Sequence, residues 1–351
     1  MKVLIIGAGS IGNHLAQAAR VKGWEVTVCD TNPEALRRMR EDIYPARYRE
    51  WDNQITQAVS SVASLPGADY DVIMVGTPPD SHLKIAFQAL KLEPRILHIE
   101  KPLGTPLDDF VAFKKECDEH PHVIVTVGYD HAVSDSVDYA IDLISINKLG
   151  NVSKIESMTL EHWKGIFNAH PWLAGPQDSY LGFWRRGGGA LCEHSHALHL
   201  GLVIAEAAGW GELTYIEGVQ DIFSGDHGTE YDQSSRLRLY SSSDNQCVLN
   251  VYQDVTTEPT VKKFNVMGDK GSLEVSFSPT LDKVSLYIEN KGVVIKEFPK
   301  TRPTDFFRLM QHYEEILKGQ NEYNTSPIRL QKGIEVMEFI SKALGVSDSV
   351  H

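Results

Sequence analysis

Three groups of residues have the types and spacing to do chemistry. The first is Gly7-Ala8-Gly9-Ser10-Ile11-Gly12, which follows the apolar run Val3-Leu4-Ile5-Ile6. Gly7 suits a tight turn, Gly9 admits a pyrophosphate close to the backbone, and Gly12 lets the next helix lie against the strand. Asp30 follows Gly12 at close to the ~20 residues expected of a ribose-binding carboxylate. A bare glycine pattern is weak, but strand, turn, helix and acid together indicate a dinucleotide site. A carboxylate at Asp30 accepts hydrogen bonds from ribose hydroxyls and repels a 2′-phosphate, which favours NAD over NADP. The nearest following arginines are Arg37 and Arg38, on the next helix, and they keep NADP open.

The second group is Glu100-Lys101-Pro102, after the run Ile96–Ile99. A lysine at the carboxyl end of a parallel strand, where cofactor and substrate meet, suits proton transfer. The bland alternative is a surface lysine in a strand-end loop. The third group runs from Gly187 to His199 and holds Glu193, His194, His196 and His199. If the triple glycine opens one continuous helix, Glu193 and His196 share a face and His199 continues it. His196 then serves as proton carrier, with Glu193 orienting it. His194 and His199 read equally as packed or exposed histidines. Four ligands this close on one helix do not converge, so no metal site is expected.

These groups need a scaffold. Short β-branched runs at Val3–Ile6, Val26–Cys29, Asp71–Val75, Ile96–Ile99 and Val123–Val127 alternate with amphipathic helices, which describes a parallel sheet in α/β layers. Beyond Gly128, longer alternating segments predict antiparallel strands with one wetter face, at 152–162, 213–223, 234–240, 247–252, 261–267 and 272–275. Helical spacing returns at Phe306–Leu317 and Leu330–Leu344. The chain of 351 residues exceeds the roughly 250–300 at which single cores stop growing, so two domains are expected, 1–125 and 126–351.

Composition bounds the function. Lys and Arg total 34 against 47 Asp and Glu, a net charge of −13, which disfavours nucleic-acid and anionic-membrane partners. The four cysteines form no C-x-x-C pair, and no apolar stretch reaches the ~20 residues of a membrane span. The N-terminal run is too short for a signal peptide, so a cytoplasmic protein is expected.

The chain resembles the Gfo/Idh/MocA oxidoreductases, the glucose–fructose oxidoreductase and inositol dehydrogenase superfamily. The resemblance rests on GAGSIG at Gly7–Gly12, VGTPPDSH at Val75–His82 and HIEKPLG at His98–Gly104, continuing with VGYDHA at Val127–Ala132, GGGALCEHSHALH at Gly187–His199 and MGDKGSLEV at Met267–Val275. It implies an N-terminal Rossmann doubly wound sheet, then an α+β domain with a large, mostly antiparallel open sheet. It also implies NAD(P)-linked hydride transfer at a secondary alcohol of a sugar or cyclitol. Carried over by position, Lys101 is the family's EKP lysine and His196 its histidine on the second-domain helix. Glu193 stands where many members have Asp, and His199, a candidate substrate contact, takes the place of a frequent Asp. Thr77, Pro78 and His82 match the loop beside the cofactor, as do Ser10, Ile11 and Glu100 the cofactor side. Tyr129 matches the segment lining the sugar pocket, and Asp130 replaces a common Asn. Trp172 and Arg185 belong to an aromatic, arginine-bearing stretch suited to sugar faces and anionic groups.

The leading expectation is therefore an NAD-dependent dehydrogenase or reductase for a sugar, sugar phosphate or nucleotide sugar. It would form a homodimer or homotetramer through the C-terminal sheet. Two alternatives stay open: an NAD-dependent glycosidase working by transient oxidation, and a dinucleotide-dependent sensor on the same fold.

Overall fold

The computed structural model describes residues 1–64, 69–169, 173–244, 246–301 and 303–346. The chain forms two units: Met1–Gly104 with Asp108–Asp130 and Pro303–Gly333, and Thr105–Leu107 with His131–Arg302 and Ile334–His351. The expected single division at 125/126 differs from this in one main respect. The segment 303–333 belongs to the first unit.

The first unit is built on β1 (Lys2–Ile6), β2 (Glu25–Asp30), β3 (Ile55–Val59), β4 (Val72–Val75), β5 (Ile96–Ile99) and β6 (Ile124–Val127). They pair in parallel in the order β3-β2-β1-β4-β5-β6. Every residue of β4 and β5 is buried, as a sheet covered on both faces requires. Helices α1 (Ser10–Val21), α2 (Pro33–Arg38), α3 (Tyr44–Tyr48), α4 (His82–Leu90) and α5 (Phe110–Glu119) accompany the strands. The strand order reverses between β1 and β4, so the carboxyl ends there open a crevice. Gly7, Asp30, Thr77, Glu100 and Tyr129 all follow or end strands at that edge.

The second unit carries α6 (Asp135–Ser145), β7 (Val152–Leu160), α7 (Lys164–Ala169), α8 (Gly189–Glu193) and α9 (His196–Ala207). The strands β8 (Leu213–Ser224), β9 (Glu230–Ser241), β10 (Val248–Asp254), β11 (Val261–Gly268), β12 (Gly271–Ser276), β13 (Leu281–Ile288) and β14 (Gly292–Pro299) follow. They form one eight-stranded sheet in the order β14-β13-β12-β11-β7-β10-β9-β8. All neighbours are antiparallel except β7 and β10, which run parallel. Helix α9 packs on β7, β10 and β11, and α6 on β12 to β14. Gly201 permits the close approach of α9, since a Cβ there would lie 2.8 Å from a Leu249 methyl. Val219, Tyr287, Val293, Val294 and Ile295 are exposed on β8, β13 and β14.

Helix α10 (Thr304–Leu317) closes the first unit against α1. Its Glu314 accepts from Lys22 Nζ at 3.4 Å and Trp24 Nε1 at 3.2 Å, and Phe306 stacks on His14 at 4.8 Å. An amphipathic helix reads the same whichever core receives it, so the pattern placed this helix but not its partner. Helix α11 (Leu330–Ala343) ends the described fold. Strands β3, β13 and β14 were not expected. The first is a short edge strand, and β14 is almost wholly exposed, which removes the alternation that marks a half-buried strand.

Candidate active-site residues in the two units

The glycine turn does what its spacing requires. Gly7 has φ +106°, and a Cβ there would sit 2.8 Å from the Gly76 carbonyl oxygen. A Cβ at Gly12 would lie 2.0 Å from the Gly7 oxygen, so only glycine allows α1 so near the turn. At Gly9 a Cβ would meet no described atom within 4 Å, which leaves space over the backbone. No side chain caps α1 among the described residues, which leaves its first N–H groups available to an anion. This is an anion cradle, and it fits a dinucleotide pyrophosphate.

Beside it, Asp30 Oδ2 accepts from the Ala8 N–H at 2.9 Å and Oδ1 from the Asn32 N–H at 2.8 Å. The ribose candidate is thus held by backbone at both oxygens, each with a further lone pair directed outward. Across the crevice Pro78 is exposed, and Thr77 Oγ1 accepts from Ser81 Oγ at 2.7 Å.

His82 is placed differently from the cofactor-lining position expected of it. It is buried, with Nδ1 2.8 Å from the Pro102 carbonyl oxygen and Nε2 2.7 Å from that of Thr77. Burial lowers its pKa, against the pull of two carbonyls that favour the cation. The ring ties the Thr77 loop to the Lys101–Pro102 turn and presents no free edge to a ligand.

Glu100 is buried beneath that turn. Its Oε2 accepts from the Lys101 N–H at 3.2 Å, and Oε1 is 3.2 Å from His98 Nε2. His98 Nδ1 is 2.6 Å from the Tyr313 hydroxyl, which is 3.2 Å from Thr126 Oγ1. Burial pushes the Tyr313 phenol well above its ordinary range, so it remains a donor. With His98 Nε2–H donating to the Glu100 carboxylate, Nδ1 is left to accept from Tyr313, and each group is satisfied in one direction. Glu100 is therefore a buried support for the Lys101 backbone. Gly128 is required alongside it, because a Cβ would lie 2.7 Å from Glu100 Oε2.

In the second unit the Gly187–His199 segment is not one helix. Helix α8 ends at Glu193, and α9 begins at His196 after a break at His194 and Ser195. Glu193 and His196 therefore do not share a continuous helical face, and Tyr180 OH donates to Glu193 Oε2 at 3.4 Å. His196 stands half-buried at the start of α9, its ring stacked on His131 at 4.4 Å, and Phe277 stacks on the far side of His131 at 5.6 Å. His199 is fully buried, as is Tyr129 in the first unit. His194 is buried with Nε2 3.2 Å from the Glu161 carbonyl oxygen.

Arg185 is exposed, ion-paired with Glu230 and stacked over the Trp184 ring at 4.2 Å. Trp184 Nε1 donates to the same carboxylate at 2.7 Å. Trp172 lies outside the described residues. The triple glycine works internally: a Cβ at Gly188 would lie 2.2 Å from the Tyr180 oxygen, and one at Gly189 (φ +82°) would lie 2.0 Å from Asp232 Oδ1. Asp232 Oδ2 accepts from the Leu191 N–H at 2.7 Å, and burial pushes its carboxyl up to about 7.

Sequence reasoning missed Asp232, Tyr313 and His98. Asp232 sits in an ordinary polar alternation, and Tyr313 becomes relevant only through the return of α10. The histidine at His98 stood two residues before Glu100 in a strand, on the same face, and that spacing was a usable signal.

Comparison with known proteins agrees with this architecture. Residues 1–129 match the GFO/IDH/MocA model, described as an oxidoreductase family with an NAD-binding Rossmann fold. A segment of 79 residues is 35% identical to glycerol-3-phosphate dehydrogenase [NAD(P)+] of Acholeplasma laidlawii. That match covers 22% of this chain and only 23% of that relative's length. An oxidoreductase from Agrobacterium radiobacter, solved with NAD+, L-tartaric acid and magnesium, is similar with TM-score 0.75 at 14% identity, over 100% of this chain and 97% of its own. A levoglucosan dehydrogenase in complex with NADH and levoglucosan is similar with TM-score 0.74 at 16% identity, over 99% and 96%. At these identities the likeness is one of fold. Among the described residues no helix is long and apolar enough to cross a membrane.

Proposed function

We propose that the chain, whose residues 1–129 match the Gfo/Idh/MocA oxidoreductase model, is a sugar dehydrogenase or reductase using NAD. Its substrate would be a secondary alcohol or ketone of a sugar, sugar phosphate or nucleotide sugar. The observation that carries this reading is the gathering of the anion cradle, Asp30, the Thr77 loop and Lys101 at one carboxyl edge of the first sheet. The levoglucosan bound by the similar dehydrogenase supports a sugar.

The α1 N–H groups and Ser10 would hold the pyrophosphate, and Asp30 the adenosine ribose hydroxyls, which favours NAD over NADP. When bound, the nicotinamide supplies the site that accepts or gives hydride. Lys101 Nζ takes the proton from the reacting hydroxyl during oxidation and returns it during reduction. Glu100, fixed by His98 and Tyr313, holds the backbone from which that lysine projects. In the second unit His196, backed by the His131 ring, is the candidate to hold a substrate hydroxyl.

The exposed apolar side chains of β8, β13 and β14 support self-association through the second sheet. Light scattering at micromolar protein should give a dimer or tetramer mass. The function itself is tested with a panel of sugars, sugar phosphates and nucleotide sugars, each with NAD and NADP. Absorbance of the reduced cofactor should rise with at least one of them, faster with NAD.

A further inference from the structure

The phosphate turn contains no charged side chain of its own, and on one side it already carries the Asp30 carboxylate against Ala8. A doubly anionic pyrophosphate placed there meets like charge, in a chain whose net charge is −13. Arg47 of α3 also reaches this turn. Its Nη1 donates to the Ser10 carbonyl oxygen at 2.8 Å and its Nη2 to Ser10 Oγ at 2.7 Å. Nη1 is also 3.2 Å from His14 Nε2, and His14 is itself stacked on Phe306 and hydrogen-bonded through Nδ1 to Tyr48. The guanidinium is thereby fixed against the first residue of α1, beside the space over Gly9.

Two consequences follow from donor chemistry. A guanidinium has no acceptor, so Ser10 Oγ must accept from Arg47, and its own hydrogen is directed to another acceptor. The positive charge also stands one hydrogen bond away from that hydroxyl. We propose that Arg47 is the cation of the pyrophosphate site, neutralising the phosphates and setting the Ser10 hydroxyl as a donor to them. This rests on the dinucleotide reading of the turn and adds a residue that the glycine spacing cannot indicate.

The test is calorimetric binding of NAD, NADP, ADP-ribose and adenosine to the full chain and its variants, at low and high salt. Arg47→Met should weaken NAD and ADP-ribose alike, by the ~10–100-fold that a charge-assisted hydrogen bond commands, and leave adenosine unchanged. The affinity it retains should depend less on salt than that of the wild type. Arg47→Lys, which keeps the charge and loses the paired geometry, should fall between. Ser10→Ala should also weaken ADP-ribose. The double variant should lose less than the product of the single losses, because the two residues act through one contact.

Wild-type affinity for ADP-ribose in both Arg47 variants would overturn the proposal, leaving Arg47 a tie between α3 and α1. Equal losses for adenosine and ADP-ribose would overturn it too, as the mark of a general distortion. A loss confined to NADP would reassign Arg47 to the 2′-phosphate. Failure of the wild-type protein to bind NAD at all would instead remove the dinucleotide reading, and this inference with it.

Discussion

Asp30 and Ala8 are joined across the first βα unit by a hydrogen bond of 2.9 Å from the Ala8 N–H to Asp30 Oδ2. The carboxylate proposed to read the ribose is thus also an anchor of the phosphate turn. Specificity and turn geometry are coupled in one side chain.

Cofactor preference should report that coupling. Asp30→Ala should weaken NAD binding by about 10-fold or more, since it removes ribose acceptors and loosens the turn together. NADP should lose less, because repulsion of its 2′-phosphate disappears at the same time. Calorimetry that gives tighter binding of NADP than NAD to the wild type would contradict the role of Asp30.

The second unit carries a titrating group in its core. Asp232 is fully buried, and burial holds its carboxyl at about 7, against 3.8 in the unfolded chain. Between about pH 4 and pH 7 the folded state binds the additional proton, so its stability falls as pH rises through that window. Asp232→Asn keeps an acceptor for the Leu191 N–H and removes the titration. Urea midpoints of the variant should change little from pH 5.5 to pH 8, roughly the window in question, and should match or exceed the wild type at the upper end.

His312 acts with the opposite sign. It lies buried in α10, Nε2 2.8 Å from Ser326 Oγ, and burial lowers its pKa to about 4. Below the unfolded value near 6.5 the unfolded chain takes up a proton that the folded one refuses. Its contribution, on the order of 3 kcal/mol, is present above about pH 6.5 and lost as pH falls towards 4. His312→Gln should flatten that acid limb in denaturant titrations, and an unchanged limb would show that His312 is not its source.

The first sheet and its edge were legible because buried parallel strands and glycine spacing are local signals. Gly7, Gly12 and Asp30 stand where their spacing put them. The break at His194–Ser195 was not legible, since the stretch has no glycine or proline and keeps helical periodicity through Leu200. What stops the helix there is tertiary: α8 is held from below by Asp232, and His194 is turned to the Glu161 carbonyl. The burial of His82 and His199 was equally hidden, because a histidine reads alike as ligand or as packed ring until its neighbours are known. The return of 303–333 to the first unit depends on Glu314, Trp24 and Lys22 finding one another across most of the chain.

Lys101 is proposed to move the proton in an NAD-linked oxidation or reduction, and its replacement separates that role from cofactor binding. Turnover of the best sugar substrate and NAD affinity are measured side by side for the wild type and Lys101→Met. Lys101→Met should bind NAD near the wild-type level with turnover lowered ~10²–10⁴-fold, the loss expected on removing a positioned proton carrier. Retained turnover in a folded Lys101→Met protein would contradict it.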